Sequence, residues 1–268
     1  SIDLLNSIEA GDDAADRIVA AYFRRRRYAG SKDRAAVNEL VYAVLRRRAW
    51  LEWRLSNAGA GGQGARLMVI AQLVDGGVPE NEIAALFDGS EHGPTPLSLE
   101  ESAIVQLLQR PPSGTAPPSV AGNYPGWLHS ALEQRFGANL AAEMAALNDR
   151  APLDLRVNMA RSNRASVLAR LAADGFEAEP TPYARCGVRL VDARRIDAHP
   201  LYREGLIEIQ DEGSQIVAAL VGAQPGERII DYCAGAGGKA LALAATMGDH
   251  GEIIACDMSS ARLRNVAP

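Results

Sequence analysis

The chain has 268 residues, 47% of them hydrophobic and 23% charged, with a formal net charge of −5. At roughly 150 residues per domain this length predicts about two domains with a sizeable core, and the ordinary globular composition excludes long-range disorder. No run approaches the ~18 apolar residues of a bilayer span, and Ser1–Leu5 has no basic stretch ahead of an apolar one, which excludes a secretory signal.

Residues 1–110 read as helical. Ile18, Val19, Tyr22 and Phe23 share helical spacing, and Arg24–Arg27 closes that segment. Gly30–Asp33 is a break with capping residues, followed by a stripe of Val37, Leu40, Val41, Val44 and Leu45. Leu67, Ile70, Ala71 and Val74 mark another stripe, stopped by Asp75-Gly76-Gly77. Pro79 suits a helix first turn ahead of Ile83, Leu86 and Phe87, and Ile104 to Leu108 form the last stripe. No strand pattern interrupts these, so a small helical bundle is expected.

Residues 111–126 are rich in Pro, Gly and Ser and read as an inter-domain linker. Trp127, Leu128, Leu132, Phe136, Leu140, Met144 and Leu147 then form an amphipathic helical region, broken near Gly137. Leu153, Leu155 and Val157 alternate as in a strand, Ser162–Asp174 reads as a helix ended by Gly175, and Ala184–Val191 as another strand. Residues 127–200 are therefore expected to form a helical plus small α/β subdomain. No internal repeat is present.

From 201 to 268 the pattern is a strand at Leu206–Gln210, a helix at Ser214–Val221 and a short strand at Arg228–Asp231. A Gly-rich loop (Tyr232–Gly238) leads into a helix at Lys239–Met247. A second strand (Glu252–Cys256) ends at Asp257, and a further helix starts near Ser259. Strand, Gly-rich turn, helix, strand and acid form the first unit of a dinucleotide-type α/β domain.

The charge is unevenly placed. Asp16–Asn57 holds eleven basic residues against four acidic, whereas Leu201–Pro268 holds five basic against nine acidic. A basic end joined to an acidic one suggests a polyanion-binding module beside a small-molecule module. Cys186, Cys233 and Cys256 have neither zinc-site nor disulfide-framework spacing, which fits a reducing cytoplasm. His92, His129, His199 and His250 share no metal spacing and receive no role.

Glycines at 235, 237 and 238 allow a tight turn and close approach of a ligand. The helix that follows offers unpaired N–H groups and a positive dipole end to an anion. Asp257, 22 positions after Gly235, can accept hydrogen bonds from both hydroxyls of a ribose. A ribose-bearing ligand with an anionic tail is expected. A Walker P-loop fails, because Cys233 stands where its first glycine belongs and Ala240 follows Lys239. An NAD fingerprint fits formally at Gly235, Gly237 and Ala240, and S-adenosylmethionine fits as well; spacing does not decide between them.

Asp231-Tyr232-Cys233-Ala234-Gly235-Ala236-Gly237-Gly238-Lys239 resembles motif I of the Sun/Fmu-type RNA cytosine-C5 methyltransferases, whose pattern is Asp-x-Cys-Ala-Ala-Pro-Gly-Gly-Lys-Thr. Asn148–Pro152 with Leu155–Asn158, and Ile209–Gln215, are similar to flanking segments of that family. Arg34–Leu51 is similar, more loosely, to the NusB-like helical domain carried by the bacterial ribosomal RNA enzymes. The resemblance implies a multi-domain chain: an all-α NusB-like RNA-binding bundle at 1–110, a small α/β subdomain, and at 201–268 the first part of a Rossmann-like methyltransferase domain. It implies that Cys233, Ala234, Gly235, Ala236, Gly237, Gly238 and Lys239 wrap S-adenosyl-L-methionine, that Asp257 holds its ribose and that Arg262 helps nearby. Asp231 would orient the loop or touch the methionine amine. Two departures stand out: the family's Ala-Pro is Gly235-Ala236 here, and its Thr is Ala240.

With the NusB-like resemblance, Arg24, Arg25, Arg26 and Arg27 together with Arg46, Arg47 and Arg48 are expected to meet RNA phosphates, of ribosomal RNA in this family. Trp50 and Trp53 are expected in a core or interface. Asp211 and Glu212 either flank the ligand or cap the helix at Ser214. Family chemistry uses a cysteine thiolate that adds to C6 of cytosine, so that C5 takes the methyl group. The family's two cysteines lie in Pro-Cys contexts beyond its second strand, and none of the three cysteines here follows proline. No catalytic residue is therefore named, the 268 residues are expected not to methylate RNA, and the natural protein is expected to continue past Pro268. The alternatives are a non-catalytic RNA-binding or regulatory protein with a degenerate loop, and an NAD-binding oxidoreductase. No membrane or metal partner is expected.

Overall fold

A computed structural model describes all residues except Arg27, 61–63, His92, 192–194, Asn265 and 267–268. The chain forms two compact units, Ser1–Asp149 and Arg150–Pro268.

The first unit is helical: α1 (Ile2–Ala10), α2 (Ala15–Arg25), α3 (Ser31–Arg46), α4 (Arg48–Asn57), α5 (Ala65–Asp75), α6 (Glu80–Leu86) and α7 (Leu99–Leu108). α5 packs against α1, α3, α4, α6 and α7. Its sequence explains that position, since Ala65, Met68, Val69, Ile70 and Ala71 are all buried, and a helix apolar on most of its surface must be surrounded. Leu4, Leu51, Leu55, Ile70 and Ile83 are fully buried in the same core, each stabilising the fold by about 1.5–3 kcal/mol relative to exposure. α7 starts with a reciprocal cap: Ser98 Oγ accepts from the Glu101 N–H at 3.1 Å, and the Glu101 carboxylate accepts from the Ser98 N–H at 2.8 Å.

The Pro-rich stretch is not a free spacer. It contains α8 (Pro118–Ala121), which packs on α4, and Asn123 Oδ1 accepts from the Trp50 N–H at 3.1 Å. Beyond it come α9 (His129–Phe136) and α10 (Leu140–Asn148), each preceded by a 3-10 turn. Asn148 Nδ2 donates back to the Gly122 carbonyl at 2.8 Å. These ties hold 111–149 with the helical unit, so the units divide after Asp149, where the sequence suggested 111–126. The region around Trp127 is less amphipathic than its spacing predicts. Trp127 and Leu147 are exposed, and only Leu140 and Met144 are buried on α10.

The second unit opens on β1 (Leu153–Val157), then α11 (Arg164–Ala173), β2 (Ala178–Pro180), β3 (Gly187–Leu190), α12 (Pro200–Arg203) and β4 (Ile207–Ile209). The strands form one antiparallel sheet in the order β2-β3-β1-β4, with Leu155 opposite Val188 on one side and Ile209 on the other. Leu155, Val157, Val167, Leu171, Val188 and Ile207 build its core, with α11 packed on β2 and β3. β4 thus joins the sheet of β1, although the sequence grouped residues 201–268 together.

Alternation along β1 puts Leu153, Leu155 and Val157 on one face and Asp154 and Arg156 on the other. Asp154 and Arg156 are nevertheless only 4% exposed, because the second face is covered by α13 (Glu212–Leu220), which packs on β1. Asp154 balances its burial with a bidentate pair to Arg189, at 2.7 and 2.9 Å, and with the Glu212 N–H at 3.2 Å.

The rest is β5 (Arg228–Asp231), α14 (Gly238–Thr246), β6 (Glu252–Ala255) and α15 (Ser260–Leu263). β5 and β6 pair in parallel, Ile229 with Ile253 and Ile230 with Ile254. α14 packs on α13 and β6, and Ala223, Leu243 and Met247 are buried between them with Ile229 and Ile253 alongside. No helix among the described residues is long and apolar enough to cross a membrane.

Candidate functional site

The parallel pair β5–β6 brings the loop after β5 beside the end of β6. Two backbone bonds fasten them: the Cys256 N–H donates to the Asp231 carbonyl and the Ala234 N–H to the Cys256 carbonyl, both at 2.8 Å. The loop then turns through Gly235 at φ +59° and Gly237 at φ +88°, where a side chain would be strained. Gly237 is the N-cap of α14. The amides of the first helical turn, from Gly238 onward, have no acceptor within the helix and are available to an anion.

Asp257 closes the arrangement. Its Oδ2 accepts from the Gly235 N–H at 2.9 Å and its Oδ1 from the Ser259 N–H at 2.8 Å. Each carboxylate oxygen keeps a second lone pair, enough for two vicinal hydroxyls. The Ser259 N–H, reinforced by the Gly235 N–H and the Arg262 charge, holds this carboxyl below its ordinary value. Arg262 Nη1 lies 3.6 Å from Asp257 Oδ2, and a Cβ on Gly235 would stand 2.5 Å from Arg262 Nη2. Loop, acid and arginine are therefore in mutual contact. Ala234 and Gly237 are buried, Gly238 and Lys239 half-buried, and Cys233 and Ala236 exposed.

Three polar groups at the base of the loop were not singled out together by the sequence. Among the described residues, Asp231 Oδ2 is buried with no hydrogen-bond partner, and so are Gln210 Oε1 and Arg156 Nε. Asp231 precedes the loop. Gln210 and Arg156 approach the first residue of α14: Gln210 Nε2 would be 3.3 Å from a Cβ at Gly238, and Arg156 Nη2 is 3.4 Å from the Gly238 carbonyl. Asp211 caps α13, its Oδ1 accepting from the Ser214 N–H at 2.8 Å. Glu212 is spent on the Tyr183 and Ala184 N–H groups, at 2.6 and 2.7 Å.

Residues 124–197 match the family model described as a Methyltr_RsmF/B-like ferredoxin-like domain, and residues 218–268 match the model of 16S rRNA methyltransferase RsmB/F. Over these residues the chain is similar to the Sun/Fmu-type RsmB/F family. The ribosomal RNA small subunit methyltransferase B of Pseudomonas putida is 34% identical over 149 residues, covering 56% of this chain and 34% of that protein. Its namesake from Xanthomonas campestris is 31% identical over 249 residues, covering 85% of this chain and 56% of the relative. The chain thus spans between about a third and three-fifths of the length of the curated RsmB relatives it matches. The crystal structure of the protein PH0851 superposes with a TM-score of 0.71 at 17% identity, covering 99% of this chain and 64% of the other, a likeness of fold.

Not all the arginines expected to meet RNA are free to do so. Arg24 and Arg25 are exposed at the end of α2. Arg26 lies over the Tyr22 ring, 3.7 Å from its centroid. Arg46 is half-buried. Arg47 pairs with Asp75 at 2.6 Å, and Arg48 with Glu52 at 2.8 Å and Glu9 at 3.1 Å. Arg27 lies outside the described residues. Trp50 donates its indole N–H to Asp75 at 2.5 Å, and its ring lies 5.3 Å from that of Trp53.

Proposed function

We propose that this chain is the RNA-binding and cofactor-binding part of an S-adenosylmethionine-dependent ribosomal RNA cytosine-C5 methyltransferase. Similarity to the RsmB/F family model and to the RsmB relatives supports the reaction class. The observation that carries the cofactor reading is the bond from the Gly235 N–H to Asp257, which makes the glycine loop and the acid at the next strand tip one cradle.

The residues present fit a nucleoside joined to an amino acid. Asp257 retains lone pairs for both ribose hydroxyls, and Arg262 keeps its carboxylate charged. The backbone of Cys233–Lys239 wraps the sulfonium side, and the α14 amides receive the methionine carboxylate. Asp231 Oδ2, buried and unpartnered, awaits a cationic donor such as the methionine amine. When bound, S-adenosylmethionine supplies an electrophilic methyl group. On this reading β5-α14-β6 is the first unit of a Rossmann-like domain, and α1–α7 a NusB-like domain that offers Arg24 and Arg25 to RNA phosphates in the cytoplasm.

None of the three cysteines is placed as the nucleophile. The Cys186 Sγ–H points to Gln215 Oε1 at 3.6 Å, Cys233 belongs to the loop, and Cys256 belongs to the backbone ties after β6. The 268 residues alone are expected to bind cofactor and RNA without methylating. Isothermal titration of the chain with S-adenosylhomocysteine and with NAD tests the reading. Binding of the first with indifference to the second supports it; preference for NAD overturns it. Methyl transfer from labelled S-adenosylmethionine to RNA by the purified chain would overturn the expectation of inactivity alone.

A further inference from the structure

Burying a polar atom without a partner costs free energy, so such atoms at the two ends of a binding loop mark groups waiting for a ligand. Gln210 is 8% exposed and Arg156 4%. Both come from the four-stranded sheet: Arg156 lies on β1 opposite Glu208 of β4, and Gln210 follows β4 directly. Both reach Gly238, where α14 begins. Gln210 is fixed in place. Its N–H donates to the Asp154 carbonyl at 3.1 Å, and its carbonyl accepts from Gln215 Nε2 at 2.8 Å. Among the described residues its side-chain Oε1 nevertheless has no donor, and neither has Asp231 Oδ2; Arg156 Nε has no acceptor.

The chemistry of these unpaired atoms is specific. Two are acceptors, one of them a carboxylate oxygen, and one is a guanidinium donor. A ligand group that satisfies both kinds at once carries an ammonium and a carboxylate on adjacent atoms, which is the α-amino-acid end of a molecule. A nucleoside without that end would leave all three unpaired.

We propose that Gln210 and Arg156 form the inner wall of the cradle and select ligands with a free α-amino-acid end: Gln210 Oε1 and Asp231 receive the ammonium, and Arg156 reinforces the α14 amides on the carboxylate. This rests on the cofactor reading above and extends it to two residues outside the glycine loop. It makes the four-stranded sheet part of the binding site rather than a support for it.

The test compares two ligands that share the nucleoside and differ in the amino-acid end, S-adenosylhomocysteine and 5′-methylthioadenosine, by isothermal titration on the full chain. Gln210→Met and Arg156→Met keep side-chain length and remove the polar atoms. Either change is expected to weaken S-adenosylhomocysteine by about tenfold or more, the effect of a lost hydrogen bond to a charged group, while methylthioadenosine changes by less than about twofold. Gln210→Met is the milder variant, and retention of the far-UV circular dichroism spectrum and melting midpoint checks that it folds. Equal weakening of both ligands, or of neither, overturns the proposal while leaving the cofactor reading intact. A wild-type chain that binds neither ligand overturns both.

Discussion

In the helical unit, Asp75 gathers Arg47, Trp50 and Arg54 into one closed group, at 2.6, 2.5 and 3.5 Å. Beside the glycine loop, Asp231, Gln210 and Arg156 each keep a buried atom with no partner. Among its described residues the helical unit also has two such atoms, Asn38 Oδ1 and Arg54 Nε, but the second faces the Asp75 carboxylate and Arg54 also donates to the Leu108 carbonyl. The difference separates two uses of buried polarity. A closed group specifies one packing of its helices and gains nothing from a ligand. An open one costs stability in the free chain and recovers it on binding.

The sharpest way to break this comparison is to open the closed group. Asp75→Ala leaves Arg54, whose side chain is only 10% exposed, as a buried charge without its counter-ion. That should cost about 3 kcal/mol or more, read as a fall in the urea midpoint. Arg47→Ala removes a half-exposed partner of the same acid and should cost under about 1 kcal/mol. Equal effects would mean that Asp75 is not the centre of the group.

At the loop, Asp257→Ala should lower affinity for S-adenosylhomocysteine by about tenfold or more through the lost hydroxyl contacts, with little change in melting midpoint. Gly237→Ala should in addition destabilise the fold. A side chain at φ +88° is strained, and its Cβ would stand 3.0 Å from Val266 Cγ1, so about 1–2 kcal/mol of stability should be lost. A purely structural turn would show the second effect without the first.

The arginine runs carry the same contrast. Arg24 and Arg25 face solvent, whereas Arg47 and Arg48 hold acids of their own unit. Alanine at 24 and 25 together should reduce the slope of log affinity for single-stranded RNA against log salt by about 1.4. Alanine at 47 should leave that slope unchanged and act on stability. Equal reductions in slope for both variants would return both runs to one RNA surface.

Much of this was legible in the sequence because it is local. The stripes of α3, α5 and α7, the strand at Leu153–Val157 and the order β5, glycine loop, α14, β6, Asp257 all follow from spacing within a few turns. What escaped depends on distant partners. Arg47 finds Asp75 across 28 positions and Arg48 finds Glu9 across 39, so the same runs that look like a basic face are partly spent inside the unit. β2 is three residues ending in Pro180, too short to alternate. The burial of Asp154 and Arg156 was not legible, because nothing near them in the chain announces that α13 will cover them. Gln210 was quoted only within a resembling segment, since a lone glutamine carries no pattern; its meaning comes from the loop that folds against it.

The smallest expected effect concerns pH, and its sign is fixed by hydrogen bonds to Asp257. The Ser259 N–H, then the Gly235 N–H and Arg262, favour the charged carboxylate, so its folded-state value lies below the ordinary 3.8. A depressed carboxyl contributes its interactions fully above the unfolded value and loses them as pH falls through the folded one. Affinity for S-adenosylhomocysteine should therefore be flat from neutral pH down to about 5, more than one unit above the ordinary value. Only below 3.8 should protonation of this residue weaken it. In Ser259→Pro the backbone donor is gone, and the decline should begin at higher pH. A loss of binding already near pH 6 in the unaltered chain would point to a group other than Asp257 as the one that holds the ribose.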